Sequence, residues 1–312
     1  MEKRISFIDT ARGIGIILMV WGHVDRGLRA AGLVGAGGPL LFINDTIYLF
    51  HMPLFFVVSG YLMGRSKKKP TIAQQFKSNS WNILIPYFLW KNLFNLTKII
   101  FPAGTNLPAQ ALSVAGFILP SAHFWFLSTL FLAKTVSGFV SRNANLVLFG
   151  LSVIAYLTLP NPFGWATGMV FFALGRILGD FGVLSADYYK KYTVWITILS
   201  TILFASLAWF FWLKWESGAL ELVAATAGIA LTIGISNKLN IKWLAYIGAN
   251  TMVIYLLHTF ATAAFRILIV RLFGIENAAL HLIGGTLIGL IAPLIFLWVV
   301  NRLSIRKYVF VG

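Results

Sequence analysis

No cysteine occurs among the 312 residues, which excludes disulfides, thiolate metal sites and a cysteine nucleophile. Acidic residues are scarce too: nine Asp and Glu stand against 25 Lys and Arg. Charged side chains of either sign make up 11% of the chain, where a soluble domain carries about 25%. With 59% of its residues hydrophobic, the chain cannot cover a water-facing surface, so lipid must be the solvent for most of it. The formal charge of +16 would suit a nucleic-acid binder. In a polytopic membrane protein, however, excess Lys and Arg collect in cytoplasmic loops, and no nucleic-acid partner is expected.

The chain reads as all-α, a single polytopic domain over 1–312. A helix crossing the bilayer needs about 20 mostly apolar residues. Ten stretches qualify: 12–31, 45–64, 81–101, 122–140, 145–160, 163–180, 192–213, 218–236, 246–271 and 279–300. The fifth and sixth are separated only by Pro160, Asn161 and Pro162, which predicts a tight helical hairpin. The long connection near 102–121 is apolar and reads as lying on the membrane surface.

Charge sets the orientation. If the N-terminus is cytoplasmic, the cytoplasmic segments hold Lys3, Arg4, Arg65, Lys67, Lys68, Lys69, Lys77, Arg142, Lys190, Lys191, Lys238, Lys242, Arg302, Arg306 and Lys307, fifteen in all. The opposite loops hold four: Arg26, Arg29, Lys214 and Arg271. This asymmetry predicts an even number of crossings with both termini cytoplasmic. Lys3 and Arg4 ahead of an apolar run imitate a secretion signal, but Arg12, His23 and Asp25 interrupt that run, so the first helix is expected to be retained.

Ionisable groups inside spans cost roughly 2.5–3.5 kcal/mol each, so each is a functional candidate. They concentrate in the first span. Arg12 and His23 are eleven residues apart, within about 20° of one helix face and about 16 Å apart along the axis. They cannot touch one atom, but they can hold two ends of a long ligand. A cytoplasmic anchor paired with Asp9 is the plain alternative for Arg12. Ser6-x-x-Asp9 also reads as a capping box. A core imidazole bonded to a neighbouring helix is the plain alternative for His23. Asp25, two residues on, points to another face. Pro53 follows His51 closely and predicts a broken second helix lining a cavity beside that histidine. Arg65, with Lys67, Lys68 and Lys69, forms a basic cluster that suits either lipid anchoring or phosphate. His123 opens the fourth span, Arg176 ends the sixth, and His258 shares a face with Tyr255.

These pieces resemble the acyltransferase 3 family, within it the fucose 4-O-acetylase-like branch of membrane O-acetyltransferases. The resemblance rests on an ordered set: Asp9-x-x-Arg12-Gly13, the Arg12-x10-His23 spacing, His51-Met52-Pro53-Leu54-Phe55-Phe56 with Ser59-Gly60-Tyr61, Pro86-Tyr87, Trp125-Phe126-Leu127, Gly175-Arg176 and Tyr255-x-x-His258. It implies about ten spans in a bacterial plasma membrane. It also implies cytoplasmic acetyl-CoA as donor substrate, no permanently bound cofactor, and a glycan or lipid-linked sugar as acceptor. It makes the Arg12 and His23 pair essential. On this reading His23 is the general base, with His51 as partner or oxyanion donor. Arg12, Arg65 and Lys68 contact the phosphates of CoA. Asp9, Asp25, Arg176 and His258 complete the candidate binding set. No carboxylate spacing beside the histidines suggests a metal site. Two rivals stand: a transporter or flippase using the buried His and Arg as a path, and a glycan polymerase or ligase.

Overall fold

A computed structural model describes residues 6–35, 37–66, 70–100, 124–161, 164–215, 217–239 and 241–304. Among them there is no strand. Helices α1 (Ser6–Ala30), α2 (Pro39–Arg65), α3 (Ile72–Asn79), α4 (Ile85–Ile100), α5 (Trp125–Gly138) and α6 (Arg142–Thr158) follow one another. They continue as α7 (Trp165–Asp180), α8 (Asp187–Trp212), α9 (Gly218–Lys238), α10 (Lys242–Ala249), α11 (Thr251–Phe273) and α12 (Ala278–Arg302). The segment 102–121 and His123 lie outside the described residues, as does Lys68.

Every predicted span has a helix, but the helices differ in reach. Six of them (α1, α2, α8, α9, α11 and α12) are long and apolar enough to cross a membrane. The other four counterparts, α4 to α7, have 14 to 17 residues, about 21–26 Å at 1.5 Å per residue, against a hydrocarbon core of about 30 Å. For α4 the shortfall is made up from its start: α3 and a π-helical turn, Ser80–Leu84, lead directly into it. Large apolar side chains cover the outside, with Trp195 and Leu199 of α8 each 64% exposed, as a lipid solvent requires.

Local chemistry sets several ends. Proline begins α2, where its missing N–H costs nothing. Thr71 and Gln74 form a capping box on α3, and Asn277 caps α12. The predicted hairpin is present between α6 and α7, where the Asn161 side chain accepts from Ala166 N at 2.9 Å and donates to Thr167 Oγ1 at 2.8 Å.

Two expectations are corrected. Pro53 does not break α2, which stays helical through it. Neighbouring side chains pack tightly there, Leu54 and Phe56 being fully buried, and such packing holds a proline helix together in a membrane. Conversely, the predicted span 246–271 is interrupted. The chain leaves helical geometry at Asn250 (φ −112°, ψ 22°), so α10 lies against α1 before α11 begins.

Glycines set the close packing. Gly60 and Gly64 of α2 face Gly175 and Gly179 of α7, two GxxxG stripes in register. A Cβ on Gly60 would strike the Phe172 carbonyl oxygen, and one on Gly175 the Val57 carbonyl oxygen. Gly13 and Gly248 bring α1 and α10 together in the same way, against Leu244 and Asp9 backbone. Side-chain neighbours fix helix directions: Gly15 meets Leu54 while Gly22 meets Tyr48, so α1 and α2 are antiparallel. Arg12 meets Thr251 and Gly27 meets Arg266, so α1 and α11 are parallel.

The α2–α7 stripe yields a test of packing. Gly60→Leu is expected to destabilise the folded protein by about 1–3 kcal/mol or more through overpacking. Gly150→Leu should be neutral to stabilising by up to about 1 kcal/mol, because a Cβ there has nothing within 4 Å and Leu is the better helix former. Thermal unfolding of detergent-purified variants, followed by size-exclusion profile, checks both.

Candidate functional site

Arg12 and His23 lie on one unbroken helix, and both reach α11. The Arg12 guanidinium donates to Thr251 Oγ1 at 2.6 Å and pairs with Asp9 at 3.4 Å. Thr251 is the first residue of α11, so the break at Asn250 is what delivers the hydroxyl to Arg12. Three turns further along α1, the His23 ring lies 5.0 Å from that of His258, tilted by 57°. Tyr48 of α2 joins them: its ring is 6.4 Å from His23 and 4.6 Å from His51. Helices α1, α2 and α11 therefore each place one histidine in a common cluster, with Arg12 about 16 Å away along the axis.

Hydrogen bonds set the tautomers. His51 Nδ1 is 2.8 Å from the Ile47 carbonyl, and His258 Nδ1 is 2.8 Å from that of Tyr255 and 3.0 Å from that of Ile254. A carbonyl only accepts, so Nδ1 carries the proton in both rings and Nε2 keeps a lone pair when the ring is neutral. Both rings are buried, His51 at 1% and His258 at 3% exposure, whereas His23 is half-buried. His51 Nε2 and Tyr48 Oη are buried with no hydrogen-bond partner among the described residues. The two rings that carry these atoms are 4.6 Å apart, centre to centre. Among the described residues, no group of three or more His, Cys, Asp or Glu is placed to hold a metal ion.

The other candidates fall into separate settings. Asp25 is fully buried, and both its oxygens receive Arg29, at 2.9 and 3.1 Å. Arg65 shares the Arg12 end of the bundle but lies on the α7 side of α2, donating to Ser185 Oγ at 3.1 Å. Arg176 pairs with Asp180 at 3.4 Å and donates to the Ser137 and Val140 carbonyls, which ties α7 to the end of α5.

Four residues escape the sequence reading, three of them in the cluster or its ties to α1. Tyr48 had a legible signal, since Tyr48-x-x-His51 repeats the spacing of Tyr255-x-x-His258. Lys91 had one as well: it is a charge inside an apolar stretch, 1% exposed, on a buried α4 face with Tyr87 and Asn95. Its Nζ is 5.5 Å from the Tyr87 ring centre. The same face carries Trp90 and Phe94, which pack on Phe260 of α11. Arg26 had the same signal as Lys91, a charge within the predicted span 12–31, whereas Thr251 had none, because its importance comes entirely from its tertiary neighbours.

A family model for an acyltransferase domain matches residues 5–301. Nodulation protein NolL of Mesorhizobium japonicum is 26% identical over 199 residues, which is 54% of this chain and 51% of that protein. Nodulation protein NolL of Sinorhizobium fredii is 31% identical over 98 residues, 31% of this chain and 26% of that protein. The chain thus spans about half the length of the first relative and about a quarter of the second. No solved structure matches it. The family match runs through all three helices that build the histidine cluster and through the Arg12–Thr251 tie, and the chain belongs to the acyltransferase 3 family.

Proposed function

We propose that this chain is a membrane-embedded O-acyltransferase, moving an acetyl-type group from cytoplasmic acetyl-CoA to a hydroxyl of a glycan or lipid-linked sugar. The reading carries ten crossings of a bacterial plasma membrane with both chain ends on the cytoplasmic side. Its support is the fifteen-to-four distribution of basic residues and the helix directions, which bring Arg65, Arg176 and Arg302 to the Arg12 end.

The meeting of His23 and His258 at 5.0 Å carries the chemical part. It occurs on the same two helices that Arg12 and Thr251 tie together, so one helix face offers a cation at its cytoplasmic end and a base about 16 Å deeper. That separation suits a donor with a polyphosphate head and a long arm ending in a thioester. The Arg12 fork would hold phosphate oxygens, and Arg65 at the same end of the bundle and Lys68 three residues after it in sequence are the proposed further contacts. Half-buried His23 would take the acceptor's hydroxyl proton. The hydroxyl oxygen then bonds to the carbonyl carbon, the carbon–sulfur bond breaks, and the proton leaves with the thiol. His51 accepts at Nε2 when neutral, so it can donate to an oxyanion only as imidazolium, and accepting from the substrate hydroxyl is its more natural part.

In membranes given radiolabelled acetyl-CoA, wild type is expected to transfer label to a glycan fraction, and His23→Ala to lose about 100-fold or more. Unchanged transfer by a well-expressed His23→Ala would remove His23 as base. Absence of transfer by wild type would turn the reading toward a transporter. Arg12→Gln should raise the KM for acetyl-CoA about 10–100-fold, the loss of one charge-assisted contact of about 1.5–3 kcal/mol. A variant with normal donor saturation would return Arg12 to the role of helix anchor.

A further inference from the structure

One turn beyond His23 on α1, about 4.5 Å along the axis, Arg26 occupies the mouth of the cluster opposite to Arg12. Its guanidinium carbon is 3.2 Å from the Tyr48 ring centre, so it stacks on the ring that also touches His23 and His51. Its Nε donates to Asn44 Oδ1 at 3.2 Å, and Asn44, 1% exposed, is itself pinned by donating to the Gly22 carbonyl at 3.2 Å. Arg26 is therefore held by its face and by one edge. Its terminal Nη1 and Nη2 have no hydrogen-bond or ion-pair partner among the described residues, and the residue is exposed.

The neighbouring acid does not neutralise it. Asp25 gives both oxygens to Arg29, and Arg266 adds a further cation by donating to the Gly27 carbonyl at 2.7 Å. Arg29 spends its charge on Asp25, while Arg26 donates to the Asn44 amide oxygen and Arg266 to the Gly27 carbonyl, both neutral. A fork of two parallel N–H donors, fixed in direction and backed by a positive surround, has the geometry that binds a carboxylate or phosphate through two oxygens.

We propose that Arg26 recognises an anionic group on the acceptor, a phosphate or a carboxylate close to the hydroxyl that receives the acyl group. This deepens the acyl-transfer reading and rests on it. Two sources share that chemistry: the phosphate of a lipid-linked sugar, and the carboxylate of an acidic sugar. Preorganisation by Tyr48 and Asn44 favours an anionic acceptor, because a fixed fork pairs more strongly with two anionic oxygens than with neutral hydroxyls or water.

Labelled product formed by wild-type membranes from radiolabelled acetyl-CoA is passed over an anion exchanger, before and after mild acid that cleaves sugar phosphodiester and pyrophosphate links. Retention lost after acid identifies the lipid-phosphate source; retention that survives it identifies an acidic sugar. Arg26→Gln is expected to raise the acceptor concentration needed for half-maximal labelling by tenfold or more, with donor KM unchanged, and Arg26→Lys to recover part of the loss. That split separates recognition from a general structural defect, which would lower the amount of active enzyme without shifting either saturation curve. A product that passes the exchanger unbound, or an Arg26→Gln enzyme with wild-type acceptor saturation, overturns the proposal. No labelled product from wild type would strike the acyl-transfer reading itself and take this inference with it.

Discussion

The bond from Arg12 to Thr251, at 2.6 Å, decides where the histidines meet. A guanidinium on an apolar helix calls for polar partners. Asp9 answers it from its own helix at 3.4 Å, and Thr251 from α11. That second partner is available only because the chain breaks at Asn250, and the break is accommodated because Gly13 and Gly248 let α10 lie backbone to backbone on α1. From this tie α1 and α11 run parallel, and His23 and His258 converge at 5.0 Å.

The same economy governs the second helix. Gly60 and Gly64 press against α7 and hold α2 from one side, which leaves its opposite side to present Tyr48 and His51 to α1. A histidine that spends Nδ1 on the Ile47 carbonyl is fixed in orientation and keeps Nε2 for another molecule. Tyr48 then serves three neighbours at once: His23, His51 and, on its face, Arg26. Along α1 the cluster thus has Arg12 on one side of the imidazoles and Arg26 on the other.

Much of this architecture is legible without coordinates, because it follows from short-range physics along the chain. Apolar length locates the helices, and the Pro160-Asn161-Pro162 turn places α6 beside α7. The common face of Arg12 and His23 needs only the 3.6-residue period of an unbroken helix. Pro53 misleads for an instructive reason. Proline removes one donor, but whether a helix breaks depends on the packing around it, and Leu54 and Phe56 are buried too tightly for that. Asn250 misleads in reverse: Gly248, Asn250 and Thr251 are residues that suit a helix end, but the apolar run on either side masks the break that tertiary packing stabilises.

By itself, then, the sequence determined the apolar, helical character of the protein, the approximate positions of its helices, and the pairing of Arg12 with His23 on one face. Those properties depend on composition and on the fixed geometry of the α-helix. Only the tertiary structure decided that α11 is the helix that face meets, and that His258 and Tyr48 complete the cluster while Asp25 and Arg176 spend their charges elsewhere. Those outcomes depend on which small-residue faces can bring two backbones together, and that is settled between helices rather than within them.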